Sequence, residues 1–130
     1  MMPPGQRVLV VDDNADLRGF MRELLEIAGY EVDVAENGDQ ALERMRSRAA
    51  HVVITDIFMP DRDGLETIDA VKREFPRAGI VAISGDRLTS GGTDYLSVAK
   101  IAGAHCALRK PITPEALYDA VRRAGGSEAR

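Results

Sequence analysis

Three carboxylates and one ammonium stand where apolar runs of this 130-residue chain stop. Asp12-Asp13 follow Val8-Leu9-Val10-Val11, Asp56 closes His51-Val52-Val53-Ile54-Thr55, and Lys110-Pro111 follow the run Ala104–Leu108. Ser84 closes a fourth run, Ile80–Ile83. A charged group at the end of a buried strand is exposed while the chain behind it is rigid. Three carboxylates held together repel one another, and a divalent, oxygen-preferring cation relieves that repulsion. Mg²⁺ suits a site of a few carboxylates completed by water and phosphate oxygens. With the charge screened, Asp56 can attack phosphorus and form an aspartyl phosphate. No general base is required, because a carboxylate is already ionised. Phosphoryl transfer asks mainly for positioning and charge neutralisation. Lys110 can neutralise one equatorial oxygen, and Ser84 can donate to another.

These residues are far apart in sequence, so the elements between them must gather them. Val8–Val11, Glu31–Ala35, Val52–Thr55, Ile80–Ile83 and Ala104–Leu108 read as strands from their apolar or alternating content. Helical spacing separates them. Asn14 can cap a helix with Leu17, Met21, Leu24, Leu25 and Ala28 inward and Gly29 as its stop. Asn37-Gly38 opens a helix carrying Ala41, Leu42 and Met45. Leu65, Ile68, Val71 and Lys72 mark a third, ended near Phe75-Pro76. Leu96, Ala99 and Ile101 mark a short fourth, ended by Gly103. Thr113-Pro114 supplies a cap and a proline at the first helical position of the last, with Leu117, Ala120, Val121 and Ala124. Five strands alternating with five helices give an α/β, doubly wound, three-layer sandwich on a parallel sheet. All strand C-terminal ends then share one edge, where open α/β sheets bind their ligands.

The length fits one domain. Residues 1–6 are expected to be a disordered leader, 7–124 the domain, and 125–130 a frayed tail. A net charge of −4 argues against non-specific binding of nucleic acid through the whole surface. One cysteine, Cys106, excludes an internal disulfide and reads as a small buried apolar residue. The N-terminus lacks the apolar stretch of a signal peptide, and no run approaches a membrane span, so a cytoplasmic protein without membrane insertion is expected. His51 and His105 lack a metal-ligand pattern, and the Arg44, Arg46, Arg48 run reads as a solvated helix face.

Over nearly the whole chain, Asp12-Asp13, Asp56 with Met59-Pro60 and Asp63-Gly64, Ser84-Gly85 and Lys110-Pro111 resemble the bacterial two-component response-regulator receiver domain, chemotaxis regulators included. The resemblance implies a flavodoxin-like (βα)5 fold with strand order 2-1-3-4-5. It implies Asp56 as phosphoacceptor, and Mg²⁺ held by Asp12, Asp13, Asp56 and the backbone carbonyl of Phe58. Ser84 would move toward the phosphoryl group, and Lys110, in a cis peptide with Pro111, would bridge to it. A histidine kinase or histidine phosphotransfer protein would supply the phosphoryl group. A downstream effector protein would read the changed surface formed by the fourth helix, fifth strand and fifth helix. Such a domain catalyses only its own phosphorylation and dephosphorylation, and no direct contact with nucleic acid is expected.

One departure stands out. The family's usual aromatic residue, three positions before the lysine, is Ala107 here. The expectation is that signalling runs instead through the Gly85–Thr93 loop and the helix after it. Rival readings are a receiver fragment of a larger transcription factor or hybrid kinase, and a pseudo-receiver that binds partners without being phosphorylated. A phosphatase would need an acid for the leaving group, and none is apparent near Asp56. A flavin site lacks the hydroxyl-rich phosphate loop, and Asp12-Asp13 would repel that phosphate.

Overall fold

The computed structural model describes residues 6–57, 64–84 and 103–126. They form β1 (Arg7–Val11), α1 (Ala15–Ile27), β2 (Glu31–Ala35), α2 (Gly38–Ser47), β3 (Val52–Asp56), α3 (Gly64–Glu74), β4 (Gly79–Ser84), β5 (Cys106–Arg109) and a C-terminal helix labelled α4 (Pro114–Gly126). The strands make one parallel sheet in the order β2-β1-β3-β4-β5, the doubly wound, flavodoxin-like arrangement. The fourth helix expected around Leu96, Ala99 and Ile101 lies outside the described residues, as do Gly85–Thr93, Phe58, Met59-Pro60 and Asp63.

Each face of the sheet carries its own core. On one, Leu9, Val11, Val53, Ile80 and Ala82 meet Leu42 and Met45 of α2 and Ile68 and Val71 of α3. On the other, Val8, Val10, Val52, Ile54, Val81 and Ile83 meet Met21 and Leu25 of α1 and Leu117 and Val121 of α4. The central strands are buried on both faces and therefore read as continuous apolar runs. β2 is an edge strand, and its exposed Glu31 and Asp33 alternate with half-buried Val32 and Val34.

The helices start and stop where local chemistry dictates. Asn14 Oδ1 accepts the Leu17 N–H at 3.0 Å, Asn37 Oδ1 accepts that of Gln40 at 2.9 Å, and Thr113 Oγ1 accepts that of Ala116 at 3.2 Å. α1 ends in a Schellman turn: Tyr30 N–H donates to the Leu25 carbonyl at 3.1 Å and Gly29 N–H to that of Glu26 at 3.0 Å. Gly29 sits there at φ 103°, where a side chain would be strained.

Several boundaries differ from the sequence reading. α4 continues through Gly125 and Gly126 instead of fraying at Gly125. Its glycine lets the helix lie against Val52 and the Gln6 side chain, so tertiary contact overrides the weak propensity. Gln6, placed in the leader, accepts the Glu31 N–H at 3.0 Å and so extends the β1–β2 pairing. Cys106 is half-buried rather than buried, with Sγ 3.7 Å from the Ala120 carbonyl oxygen, because β5 lies at the sheet edge. The arginine run of α2 is exposed but paired: Arg46 grips Glu74 of α3 through two bonds of 2.6 and 2.8 Å, and Arg48 reaches Glu31 at 3.1 Å. Both histidines serve the backbone. His51 Nδ1 accepts the Arg7 N–H at 3.0 Å, and His105 Nδ1 accepts that of Ile80 at 3.1 Å.

Candidate functional site

Strand alternation explains how remote residues meet. Successive side chains point to opposite faces. Val8-Val10, Val52-Ile54 and Cys106-Leu108 all belong to the α1/α4 core. Two residues further along each strand direction stand Asp12, Asp56 and Lys110. Parallel pairing in register then brings these ends to one edge, with Val10 opposite Ile54 and Asp56 opposite Ile83. Ser84 falls in the other register, with Ile80 and Ala82 of the α2/α3 core. It is buried at the end of β4, and its carbonyl accepts the Lys110 N–H at 2.9 Å, which ties the lysine segment to that strand. Lys110-Pro111 is a cis peptide.

Asp12, Asp13 and Asp56 each offer a carboxylate oxygen, and these oxygens lie within 4.8 Å of one another. Asp12 and Asp56 are buried, at 0% and 4% exposure, while Asp13 faces solvent. Lys110 Nζ donates to Asp56 Oδ2 at 2.8 Å. Asp12 is held on several sides: its N–H donates to the Ala35 carbonyl at 3.1 Å, and its Oδ1 accepts the Asn14 N–H at 2.8 Å. Its other oxygen, Oδ2, is buried without a hydrogen-bond partner among the described residues. Burial pushes the Asp12 carboxyl up to about 6; the negative charges of Asp56 and Asp13 add to that, while the Asn14 N–H and Lys110 oppose it. Burial pulls the Lys110 ammonium down, but the hydrogen bond and charge of Asp56, with Asp12 and Asp13 behind it, prevail and leave it raised.

Charge alone shows what the site lacks. Among the described residues, three carboxylates face one ammonium, and a buried carboxylate oxygen has no donor. A hard divalent cation with oxygen ligands fits that set, and Mg²⁺, which keeps several waters, fits an edge open to solvent. Phe58, whose carbonyl the resemblance added to the cation ligands, lies outside the described residues.

One contributor escaped the sequence reading, and a second was noted without its physical reason. Arg18 of α1 donates from Nη1 to the Asp12 carbonyl oxygen at 2.7 Å. Its only signal was its place on the first turn after the Asn14 cap. Gly64 was noted within Asp63-Gly64, but its reason is steric. It donates to the Ile57 carbonyl at 2.8 Å, and a Cβ there would collide with the Asp56 and Ile57 backbone. α3 therefore begins directly against the strand end that carries Asp56. A cavity of about 460 Å³ opens elsewhere, among Ala49, His51, Phe75, Pro76 and Ala78. Its walls are mostly apolar and hold none of the acidic cluster, so it does not compete for this chemistry.

The model of the family described as the response regulator receiver domain matches residues 8–122. The chain belongs to this family. It is 33% identical over 119 residues to the nitrogen assimilation regulatory protein NtrX of Azorhizobium caulinodans, a match covering 90% of this chain and 25% of that protein. It is 32% identical over 120 residues to the chemotaxis protein CheY of Thermotoga maritima, covering 92% of this chain and 97% of that one. The crystal structure of the NtrX receiver domain from Brucella abortus superposes with a TM-score of 0.85 at 31% identity, covering 92% of this chain and 98% of that one. The chain thus spans about a quarter of the NtrX relative and nearly all of the CheY relative. It is a receiver domain of two-component response regulators, a class of signalling modules that is generally non-enzymatic. Among the described residues, no helix is long and apolar enough to cross a membrane.

Proposed function

We propose that this receiver domain accepts a phosphoryl group on Asp56 in a Mg²⁺-dependent reaction and signals through the surface change that follows. The observation that carries the reading is the convergence of the Asp12, Asp13 and Asp56 oxygens within 4.8 Å, with Lys110 Nζ 2.8 Å from Asp56. Asp12, Asp13 and Asp56, with the Phe58 carbonyl, would hold the cation, which when bound supplies charge neutralisation for an incoming phosphoryl group. An Asp56 oxygen attacks phosphorus of a phosphohistidine on a histidine kinase or phosphotransfer protein. The new P–O bond forms as the P–N bond breaks, and the leaving imidazole takes its proton from water. Lys110, anchored through its backbone to Ser84, stays within reach of the transferred oxygens, and the Ser84 hydroxyl moves to donate to one of them. A cytoplasmic partner protein then reads the altered face.

Metal-dependent labelling by acetyl phosphate tests this. Incorporation of one phosphoryl group per chain is expected. Asp56→Asn should abolish it, and chelation by EDTA should reduce it to background. Equal labelling of the Asn variant would end the proposal by placing the phosphoryl group on another residue, and a wild type that takes no label with Mg²⁺ present would favour a phosphorylation-independent pseudo-receiver. The short share of NtrX that the chain covers keeps a second reading open, that of a receiver within a larger regulator, whereas the match to CheY supports a stand-alone role. The reading frame of the source gene separates the two.

A further inference from the structure

We propose that Arg18 is a positioning residue for the cation site: by fixing the Asp12 carbonyl from α1 it sets the affinity of the Asp12-Asp13 turn for the divalent ion. The inference rests on the reading of this site as a cation-dependent phosphoacceptor.

The geometry supports it as follows. The two acidic residues lie between the last residue of β1 and the Asn14 cap of α1, and the Asp12 N–H ties this stretch to the Ala35 carbonyl of β2. Repulsion among the carboxylates acts on this turn. The Asn14 N–H holds the Asp12 carboxylate, which leaves the peptide plane between Asp12 and Asp13 to be held at its oxygen. Arg18 does that at 2.7 Å, from a half-buried position. Its own backbone N–H donates to the Asn14 carbonyl at 2.9 Å, so backbone and side chain of one residue clasp both ends of the turn. Fixing that plane fixes where the Asp13 side chain leaves the chain, and Asp13 is the one exposed member of the cluster. The guanidinium donates to the carbonyl and not to a carboxylate, so it adds order to the ligand set without using up a ligand oxygen. Groups that hold metal ligands in place commonly change metal affinity without touching the ion.

The test compares wild type, Arg18→Ala and Arg18→Lys. Metal-free protein is titrated with MgCl2 and followed by amide chemical shifts, alongside acetyl phosphate labelling at limiting and at saturating Mg²⁺. Arg18→Ala is expected to raise the Mg²⁺ Kd by about 10-fold, while the labelling rate at saturating Mg²⁺ stays within about twofold of wild type. Arg18→Lys keeps a donor for the carbonyl and should recover most of the affinity. An Arg18→Ala variant with the wild-type Kd, or one whose rate stays low when Mg²⁺ saturates, overturns the positioning role while wild type still binds and is labelled. A wild type that neither binds Mg²⁺ nor is labelled overturns instead the reading of the site.

Discussion

Asp12 shows how burial of one carboxyl makes folding depend on pH. Burial pushes its carboxyl up from the ordinary 3.8 to about 6 in the folded, metal-free domain. A carboxyl whose folded pKa is raised binds more protons folded than unfolded, so its contribution is greatest below the unfolded pKa and is lost as pH rises through the folded one. The metal-free domain should therefore lose stability from this group as pH rises from 4 to 7. Urea melts at several pH values check this. Asp12→Asn should flatten that part of the profile and be more stable than wild type at pH 7.5 without metal. A wild-type profile with no such slope would show that folding does not raise the Asp12 carboxyl. Tyr30 makes a second residue-level case. Its ring is buried and its hydroxyl lacks a partner among the described residues, and burial raises its pKa against the opposing charge of Arg122. Removing an unsatisfied buried hydroxyl is neutral or favourable. Tyr30→Phe should leave the urea midpoint unchanged or raise it, by up to about 1 kcal/mol. A clear loss would mean that the hydroxyl has a water partner.

At the level of elements, the helix starts hold the site because each is fixed to a strand end. Two glycines make opposite predictions. Gly19 lies in the middle of α1 with open space where a Cβ would go, so Gly19→Ala should stabilise by about 0.5–1 kcal/mol. Gly64 begins α3 against the Asp56 and Ile57 backbone, where neither partner can move as a side chain would. Gly64→Ala should cost about 2 kcal/mol or more and weaken Mg²⁺ binding by displacing the end of β3. Thermal melts of the two variants, run together, check the pair. If Gly64→Ala melts like wild type, α3 does not abut the strand as described. The sequence showed both glycines but not their difference, because steric room is a property of what lies across the fold. The same limit hid Arg18. An arginine on a helix is ordinary in sequence, and its bond to the Asp12 carbonyl exists only once α1 folds back beside the end of β1.

At the scale of the molecule, the acidic edge gathers like charges whose repulsion the proposed cation would relieve. Binding to the folded state alone stabilises it by mass action. Mg²⁺ at ten times its Kd should add about 1.4 kcal/mol, seen as a rise of a few degrees in Tm at pH 7.5. Asp13→Ala should remove most of that rise while leaving the metal-free Tm close to wild type, since Asp13 is exposed. A Tm indifferent to Mg²⁺ in the wild type would count against the cation site. The two-sided burial of β1, β3 and β4 lets the edge bear this repulsion, because the strands behind the charges are anchored in both cores.

The apolar runs of the strands, the asparagine and threonine caps and the punctuating glycine of α1 are local signals, and their physics acts over a few residues. The sequence by itself therefore determined the alternation of strands and helices, the parallel sheet and the candidacy of Asp12, Asp56 and Lys110 at strand ends. Tertiary structure alone decided the ordering of Gln6, the continuation of the last helix through Gly125, the half-exposure of Cys106 and the pairing of Arg46 with Glu74. It also decided which oxygens stand within reach of one another and which of them has no donor. Those outcomes depend on distances between segments remote in the chain, and such distances are set only when both faces of the sheet are packed.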